Sequence, residues 1–350
     1  MRAIIYDEFS ALPQLRDITD PTAPESGVVI DVEATGVCRS DHHAWAGHDP
    51  TITLPHVPGH ELVGRIASAG AGVTKFRVGQ RVTVPFVCGC GQCRWCLSGN
   101  AQVCPEQTQP GFTHFGSWAD QVVIHHADAN LVAVPDDLPA SAMVGLGCRF
   151  ATAFHGLRVR AELRAGETVA VFGCGGVGLS AIMIARAIGA EVVAIDVNDA
   201  ALAKAREHGA ARTVNVSGLS PEATAAEVVA QFSDQSPDGV AVTVDALGRE
   251  ETIAAAVASL APLGRHVQIG LLAAPPVVDM GRVIGLELSM LGSHGMAAAE
   301  YPEMVELVVQ GKLRPQDLVT NVIGLEDAPA AMEALGSNTG SGMTIIDMSR

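Results

Sequence analysis

Basic residues are scarce in this chain of 350 residues: 22 lysines and arginines stand against 38 acids, a formal net charge of −16, and no basic cluster stands out. Nucleic-acid backbones demand concentrated positive charge, so a nucleic-acid partner is not expected. Long apolar runs are missing too. Hydrophobic residues make up 48% of the chain, yet no stretch free of charges and breakers is long enough to span a bilayer. The first residues, Met1-Arg-Ala-Ile-Ile-Tyr-Asp-Glu, lack an apolar export core. There is no low-complexity linker or internal repeat, and the 37 glycines are scattered as turn markers. These absences lead to the expectation of a cytoplasmic globular protein without a membrane partner. At this length one core usually stops growing, so two domains are expected.

What the chain does have is clustered cysteine. Cys90, Cys93, Cys96 and Cys104 follow the spacing C-x2-C-x2-C-x7-C, in which four thiolates can converge on one tetrahedral ion. A bacterial iron–sulfur pattern would place its fourth cysteine four residues after the third, whereas here the separation is eight. Disulfides are disfavoured in a reducing compartment. The run therefore reads as a closed structural zinc site. Cys88 breaks the two-residue spacing and is expected to be a non-ligand. A second set of zinc-ligand types lies at Cys38, His60 and Cys148, with Glu61 directly after the histidine. Three distant residues equally admit buried cysteines and a surface histidine, and spacing alone leaves both open.

The pattern of the chain changes near residue 150. Upstream, Val28 to Val32, Leu62 to Ile66 and Arg81 to Val84 are short β-branched runs between glycines and prolines, a mostly β domain. Downstream, strand-like runs alternate with helical ones: Thr168 to Phe172, Gly176 to Ile188, Glu191 to Ile195, Asp199 to His208, then Val240 to Val244 and His266 to Ile269. That alternation predicts a doubly wound parallel sheet, an α/β fold. Gly173-Cys-Gly175-Gly176-Val177-Gly178 is a G-x-G-x-x-G between the first strand and first helix, where glycines allow a tight turn and the helix N-terminus can face a pyrophosphate. Asp196 follows Gly178 by 18 residues, at the end of the second strand. A carboxylate there accepts from ribose hydroxyls and repels a 2′-phosphate, so NAD is expected over NADP. Cys174 within the loop is expected to be inert packing.

Gly59-His60-Glu61-x2-Gly64-x5-Gly70-x2-Val73 resembles the signature of zinc-containing medium-chain alcohol dehydrogenases, in the medium-chain dehydrogenase/reductase superfamily. The Cys38-Arg-Ser-Asp41 segment, the cysteine lobe and the glycine loop follow in that family's order, so the resemblance spans nearly the whole chain. It implies a GroES-like catalytic domain over 1–149 with its structural zinc lobe at about 88–105, a Rossmann NAD-binding domain over 150–290, and a return segment over 291–350. It implies that Cys38, His60 and Cys148 hold a catalytic zinc, making two zinc ions per chain, with Glu61 a nearby exchanging carboxylate. Asp41 would fix the ring of His60. Ser40 and His43 occupy the positions of the family's proton relay, and Arg39 that of its pyrophosphate contact.

The activity so implied is reversible hydride transfer between a primary or secondary alcohol and NAD, by a homotetramer. In His43-Ala-Trp-Ala-Gly-His-Asp49-Pro, Asp49 stands where ethanol-oxidising relatives carry a pocket-narrowing aromatic, so a wider pocket is expected. Phe86, Trp118 and Leu271 are expected to line it, Leu271 also among the cofactor contacts. His42, His48, His56, His125 and His126 keep solvent-facing or structural readings. Polyol and threonine dehydrogenase relatives often carry glutamate where Cys148 stands, which ranks that activity below simple alcohols. A non-catalytic NAD-binding relative is the reading from another class.

Overall fold

The computed structural model describes residues 1–337 and 342–350. It divides into two compact units, one formed by Met1–Ala151 with Gly295–Arg350 and the other by Thr152–His294. Among the described residues, no helix is long and apolar enough to cross a membrane.

The first unit is built on Val28–Val37, whose ten residues run well beyond the apolar stretch that marks it in the sequence. This strand pairs antiparallel with Leu62–Ala69, Gln121–Ile124 and Met343–Asp347. Val319–Ile323 extends the sheet beyond Met343–Asp347, and Arg81–Thr83 and Val132–Ala133 extend it on the other side. Alternation along the strands sends side chains to two faces. Val28, Ile30, Leu62, Ile66, Val82 and Ile124 join one core, while Ile4, Val37, Val57, Trp118, Met332 and Ile346 join another. Full burial of each large aliphatic side chain contributes roughly 1.5–3 kcal/mol.

Two helices of this region begin beside candidate metal ligands, α1 (Arg39–Trp45) and α2 (Cys148–Phe154). The central strand ends at Val37, and Cys38 caps α1 in an extended conformation, φ −116° and ψ 151°. The corner is fixed by Asp41, which accepts the Cys38 N–H at 2.9 Å. A carboxylate at the third helical position satisfies a donor that the helix itself leaves unpaired.

The second unit is a six-stranded sheet, all parallel, in the order Arg212–Asn215, Glu191–Asp196, Thr168–Phe172, Val240–Asp245, Leu260–Gln268, Ser289–Gly292. Numbered along the chain this is 3-2-1-4-5-6, the doubly wound arrangement of the Rossmann fold. Thr168–Phe172 is buried throughout, as a parallel strand covered on both faces must be. It feeds α3 (Gly176–Ile188), which buries Leu179, Ile182, Met183 and Ile184. The helix stops at Gly189, whose φ of +95° lies where side chains are disfavoured.

A histidine cluster in the first unit gives stability an acid dependence. The His114 ring lies 4.9 Å from that of His125, and its Nδ1 is 3.0 Å from the Phe115 carbonyl oxygen. Its Nε2 is buried and has no hydrogen-bond partner among the described residues. Burial pushes His114 down to about 4, with a backbone hydrogen bond opposing it and His125 adding to it. An unfolded histidine takes up its proton near 6.5, so between about 6.5 and 4 the unfolded chain binds more protons than the folded one. The contribution is complete above about 6.5 and is lost as pH falls toward 4, on the order of 2–3 kcal/mol from this residue. Denaturant unfolding at pH 7 and pH 4.5 is expected to show a smaller acid loss in His114→Phe than in the wild type.

Candidate active site

Three donor atoms meet in the first unit: the sulfurs of Cys38 and Cys148 and a ring nitrogen of His60 lie within 4.8 Å of one another. Cys38 comes from the corner before α1, His60 from the segment leading into Leu62–Ala69, and Cys148 from the start of α2. Cys38 and His60 are buried, while Cys148 is partly exposed. Asp41 is fully buried and organises the set. It accepts the N–H of Cys38 at 2.9 Å and of Gly59 at 3.1 Å, and its Oδ1 lies 2.9 Å from His60 Nδ1. One carboxylate thereby fixes both ligand-bearing segments and the ring between them.

The opposite ring nitrogen, His60 Nε2, is buried without a hydrogen-bond partner among the described residues. In the neutral ring with its proton on Nδ1 toward Asp41, Nε2 would carry the lone pair, which is the arrangement of a metal-binding histidine. The Cys38 thiol is held well below its ordinary value, chiefly by the hydrogen bond from Cys148, with Arg149 and His60 adding to it against burial. Cys148 is pushed well above by that same hydrogen bond and by burial. For His60, burial is the largest single influence and disfavours the charged ring, but the Asp41 and Cys38 charges outweigh it and raise the value. Two cysteine sulfurs and an imidazole form a soft donor set that fits zinc, whose binding would deprotonate both thiols and leave a fourth position open.

Around this set, Glu61 is buried and Arg149 Nη2 lies 3.2 Å from its Oε2. Burial raises the Glu61 carboxyl, and Arg149 opposes the rise. Ser40 Oγ is 3.7 Å from Cys38 Sγ. His43 lies three residues further along α1, exposed, with its Nδ1 3.4 Å from His48 Nδ1. Burial first, then His48 and Arg39, lower its basicity. Arg39 is exposed at the start of the same helix. Asp49 Oδ1 accepts the Thr51 N–H at 2.8 Å and so fixes a local turn. The Phe86 ring stands edge-on to His60 with centroids 6.0 Å apart, next to the donor set.

Trp118 is a correction to the expected pocket lining. It is 0% exposed, packs in the core with Ile4, Val57 and Met332, and donates its indole N–H to the Gly36 carbonyl at 3.0 Å. A large ring with a satisfied N–H is a core side chain, and sequence register cannot separate that from a pocket wall. Leu271 belongs to the second unit and is 88% exposed.

The four clustered cysteines converge as well. Cys93 Sγ lies 3.6 Å from Cys96 Sγ and 3.7 Å from Cys104 Sγ, and Cys90 Sγ lies 4.0 Å from Cys96 Sγ. A tetrahedron with zinc–sulfur bonds of about 2.3 Å has sulfur–sulfur edges of roughly 3.8 Å, so the lobe has the dimensions of a closed zinc site. Backbone N–H groups of Cys90, Cys93 and Cys96 point at three of the sulfurs from 3.4 to 3.5 Å. Cys88 lies outside the set, donates toward the Pro85 carbonyl at 3.4 Å, and is pushed up to about 12 by burial.

In the second unit, Gly173 has φ +93°, and a Cβ at Gly178 would stand 1.7 Å from the Gly173 carbonyl oxygen. Those two glycines let strand and helix approach closely. A Cβ at Gly175 would meet nothing within 4 Å, so the loop faces open space at the N-terminus of α3, ahead of Gly176 and Val177. Asp196 Oδ2 accepts the Cys174 N–H at 2.8 Å and Oδ1 the Asn198 N–H at 3.0 Å. A carboxylate has about four acceptor positions, so each oxygen keeps capacity for a ribose hydroxyl. Cys174 is buried and pushed up to about 12. This cradle fits a dinucleotide.

An open thiolate–imidazole set and a dinucleotide loop in one chain define a protein built for metal-assisted redox chemistry. Residues 24–136 match the alcohol dehydrogenase GroES-like domain and residues 176–310 the zinc-binding dehydrogenase domain. An alcohol dehydrogenase of Geobacillus stearothermophilus is 29% identical, and an L-threonine 3-dehydrogenase of Streptomyces coelicolor 30%, each match covering 99% of both chains. The structure of alcohol dehydrogenase TADH from Thermus sp. ATN1 superposes with a TM-score of 0.88 at 26% identity, covering 99% of this chain and 100% of that one. The chain belongs to the zinc-containing medium-chain dehydrogenase family, whose members are oxidoreductases.

Proposed function

We propose that the protein is an NAD-dependent alcohol dehydrogenase with two zinc ions per chain, acting reversibly on primary or secondary alcohols. The observation that carries this reading is the buried Nε2 of His60, without a hydrogen-bond partner among the described residues, in a set with two thiols while Asp41 lies at its other nitrogen. In this reading Cys38, His60 and Cys148 hold the catalytic zinc, and Cys90, Cys93, Cys96 and Cys104 the structural one. Cys148 as third ligand supports simple alcohols over polyols or threonine. Bound zinc would acidify the alcohol hydroxyl, and bound NAD would accept the hydride.

The chain's own groups do the rest. Ser40, beside Cys38, would accept the hydroxyl proton as it releases its own, and His43 on the same helix would deliver a proton to solvent at the end of the relay. A lowered basicity keeps His43 neutral near pH 7, the state that can accept a proton. Phe86 supplies an apolar wall beside His60. Arg39 would bind the pyrophosphate, along with the loop from Gly173 to Gly178. A homotetramer in the cytoplasm belongs to the same reading. The outer strand Ser289–Gly292, with exposed Met290, supports self-association, since unpaired edges invite pairing.

The test is a panel of alcohols and carbonyls with both nicotinamide cofactors, accompanied by metal analysis. Two zinc ions per chain and turnover with NAD are expected. A protein that binds NADH, holds one zinc per chain and oxidises no alcohol would instead be the non-catalytic relative. Asp196 sets the cofactor preference. Asp196→Asn, which keeps the shape and removes the charge, is expected to lower kcat/KM for NAD roughly tenfold or more, the equivalent of one charge-assisted hydrogen bond. A wild-type preference for NADP would refute the assignment.

A further inference from the structure

Glu61 follows a metal ligand directly, yet its carboxylate oxygens fall outside the donor atoms that lie within 4.8 Å of one another. Backbone and charge together keep it there. A Cβ on Gly36 would come within 2.2 Å of Glu61 Oε2, and one on Gly147 within 2.6 Å of its Cγ, so the side chain fills a slot that only glycines leave open. Arg149, the residue after Cys148, donates from Nη2 to Glu61 Oε2 at 3.2 Å and to the Val37 carbonyl at 3.1 Å. The pair is buried, 11% exposed on the arginine and 0% on the glutamate. Among the described residues, Glu61 Oε1 is buried with no hydrogen-bond partner, and so is Arg149 Nε.

A carboxylate oxygen is a good zinc ligand, and one without a donor in a dry site is drawn to any nearby cation. Among the described residues, the cation in contact with Glu61 is the Arg149 guanidinium. In a buried setting that attraction is strong, because little water screens it. We infer that Arg149 is a positioning residue that latches Glu61 through Oε2, holds the carboxylate out of the catalytic metal's ligand set, and so keeps a coordination position open for substrate. This rests on the reading that Cys38, His60 and Cys148 hold the metal. Without the guanidinium, the buried charge of Glu61 has the metal as its remaining partner, and the site closes with a fourth protein ligand.

Cobalt(II) exchanged into the catalytic site reports coordination directly through its ligand-field absorption. The proteins to compare are the wild type, Arg149→Met, Arg149→Lys, Glu61→Gln, and the double variant Arg149→Met with Glu61→Gln. Arg149→Met is expected to change the cobalt spectrum and to lose catalytic metal to a chelator roughly tenfold more slowly, as an added ligand would cause. Arg149→Lys, which keeps a cation, should retain the wild-type spectrum, and the double variant should return to it. Unchanged spectrum and metal release in Arg149→Met would overturn the latch, as would a change that persists in the double variant. Should Arg149→Met fail to fold, Glu61→Gln still decides: a wild-type spectrum supports a carboxylate held off the metal, and an altered one means Glu61 already binds it. Wild-type protein that takes up metal only in the cysteine lobe would overturn the metal-site reading itself, not the latch.

Discussion

His60→Ala is expected to abolish alcohol turnover while leaving NADH binding within a few-fold of the wild type. In the proposed catalytic set the ring supplies the nitrogen donor, and its Nε2 has no hydrogen-bond partner among the described residues. Losing a residue that merely orients a ligand costs roughly 10–100-fold in metal affinity or activity, so losing the ligand itself should exceed that range. Asp41→Ala provides the graded comparison. It leaves the ring in place but removes the acceptor for two backbone N–H groups and Nδ1, so partial metal loss and a smaller fall in turnover are expected. Fluorescence titration with NADH separates the two units, because the glycine loop and Asp196 lie wholly in 152–294. Full turnover by His60→Ala at unchanged zinc content would refute the site.

Cys104→Ser is expected to act on the fold. Cys104 is fully buried, and its sulfur lies 3.7 Å from Cys93 Sγ and accepts the Cys90 N–H at 3.4 Å. Structural zinc sites contribute binding free energy on the order of 10 kcal/mol to folding, and a three-ligand remnant forfeits much of it. The measurement is thermal unfolding with and without added zinc, together with metal content. A loss of one zinc per chain and a large fall in Tm are expected. A variant as stable as the wild type that lost only turnover would exchange the roles of the two metal sites.

Legibility in the sequence followed the range of the interactions. Gly176–Ile188 forms a helix with the ends its loop glycine and Gly189 suggest, and the apolar strands Thr168–Phe172 and Glu191–Asp196 stand out because burial on both faces demands unbroken hydrophobic runs. Leu260–Gln268 was legible only at its end, since Pro262 and Gly264 disguise the rest. Val28–Val37 reads short because Asp31, Glu33 and Gly36 interrupt its apolar pattern, yet pairing on both sides carries it to Val37. The short strands Arg212–Asn215 and Ser289–Gly292 hold one and two apolar residues, too few to show a pattern. The convergence of the four cysteines was readable because they are close in sequence, as was the place of the glycine loop between a strand and a helix. Arg149 was not: its partner Glu61 is 88 residues away, and nothing local marks an arginine as buried. Trp118 failed for the converse reason, since an aromatic beside a motif looks the same in a pocket and in a core.

The pairing of Val28–Val37 with Met343–Asp347 carries a consequence for biosynthesis. Thr344 lies opposite Val37, one residue before Cys38 of the proposed metal site, so the strand that delivers Cys38 gains that neighbour only after more than 300 further residues have been made. At translation speeds of 5–20 residues per second the wait is on the order of 15–60 s. Throughout that interval an apolar strand presents an open edge, which is a hazard for mispairing between nascent chains. The parallel-sheet unit, by contrast, is continuous in sequence and can form as soon as it leaves the ribosome. The dinucleotide unit is thus complete before the strand bearing Cys38 gains its last neighbour, and a ribosome that stalls before residue 343 releases a chain without that strand pairing.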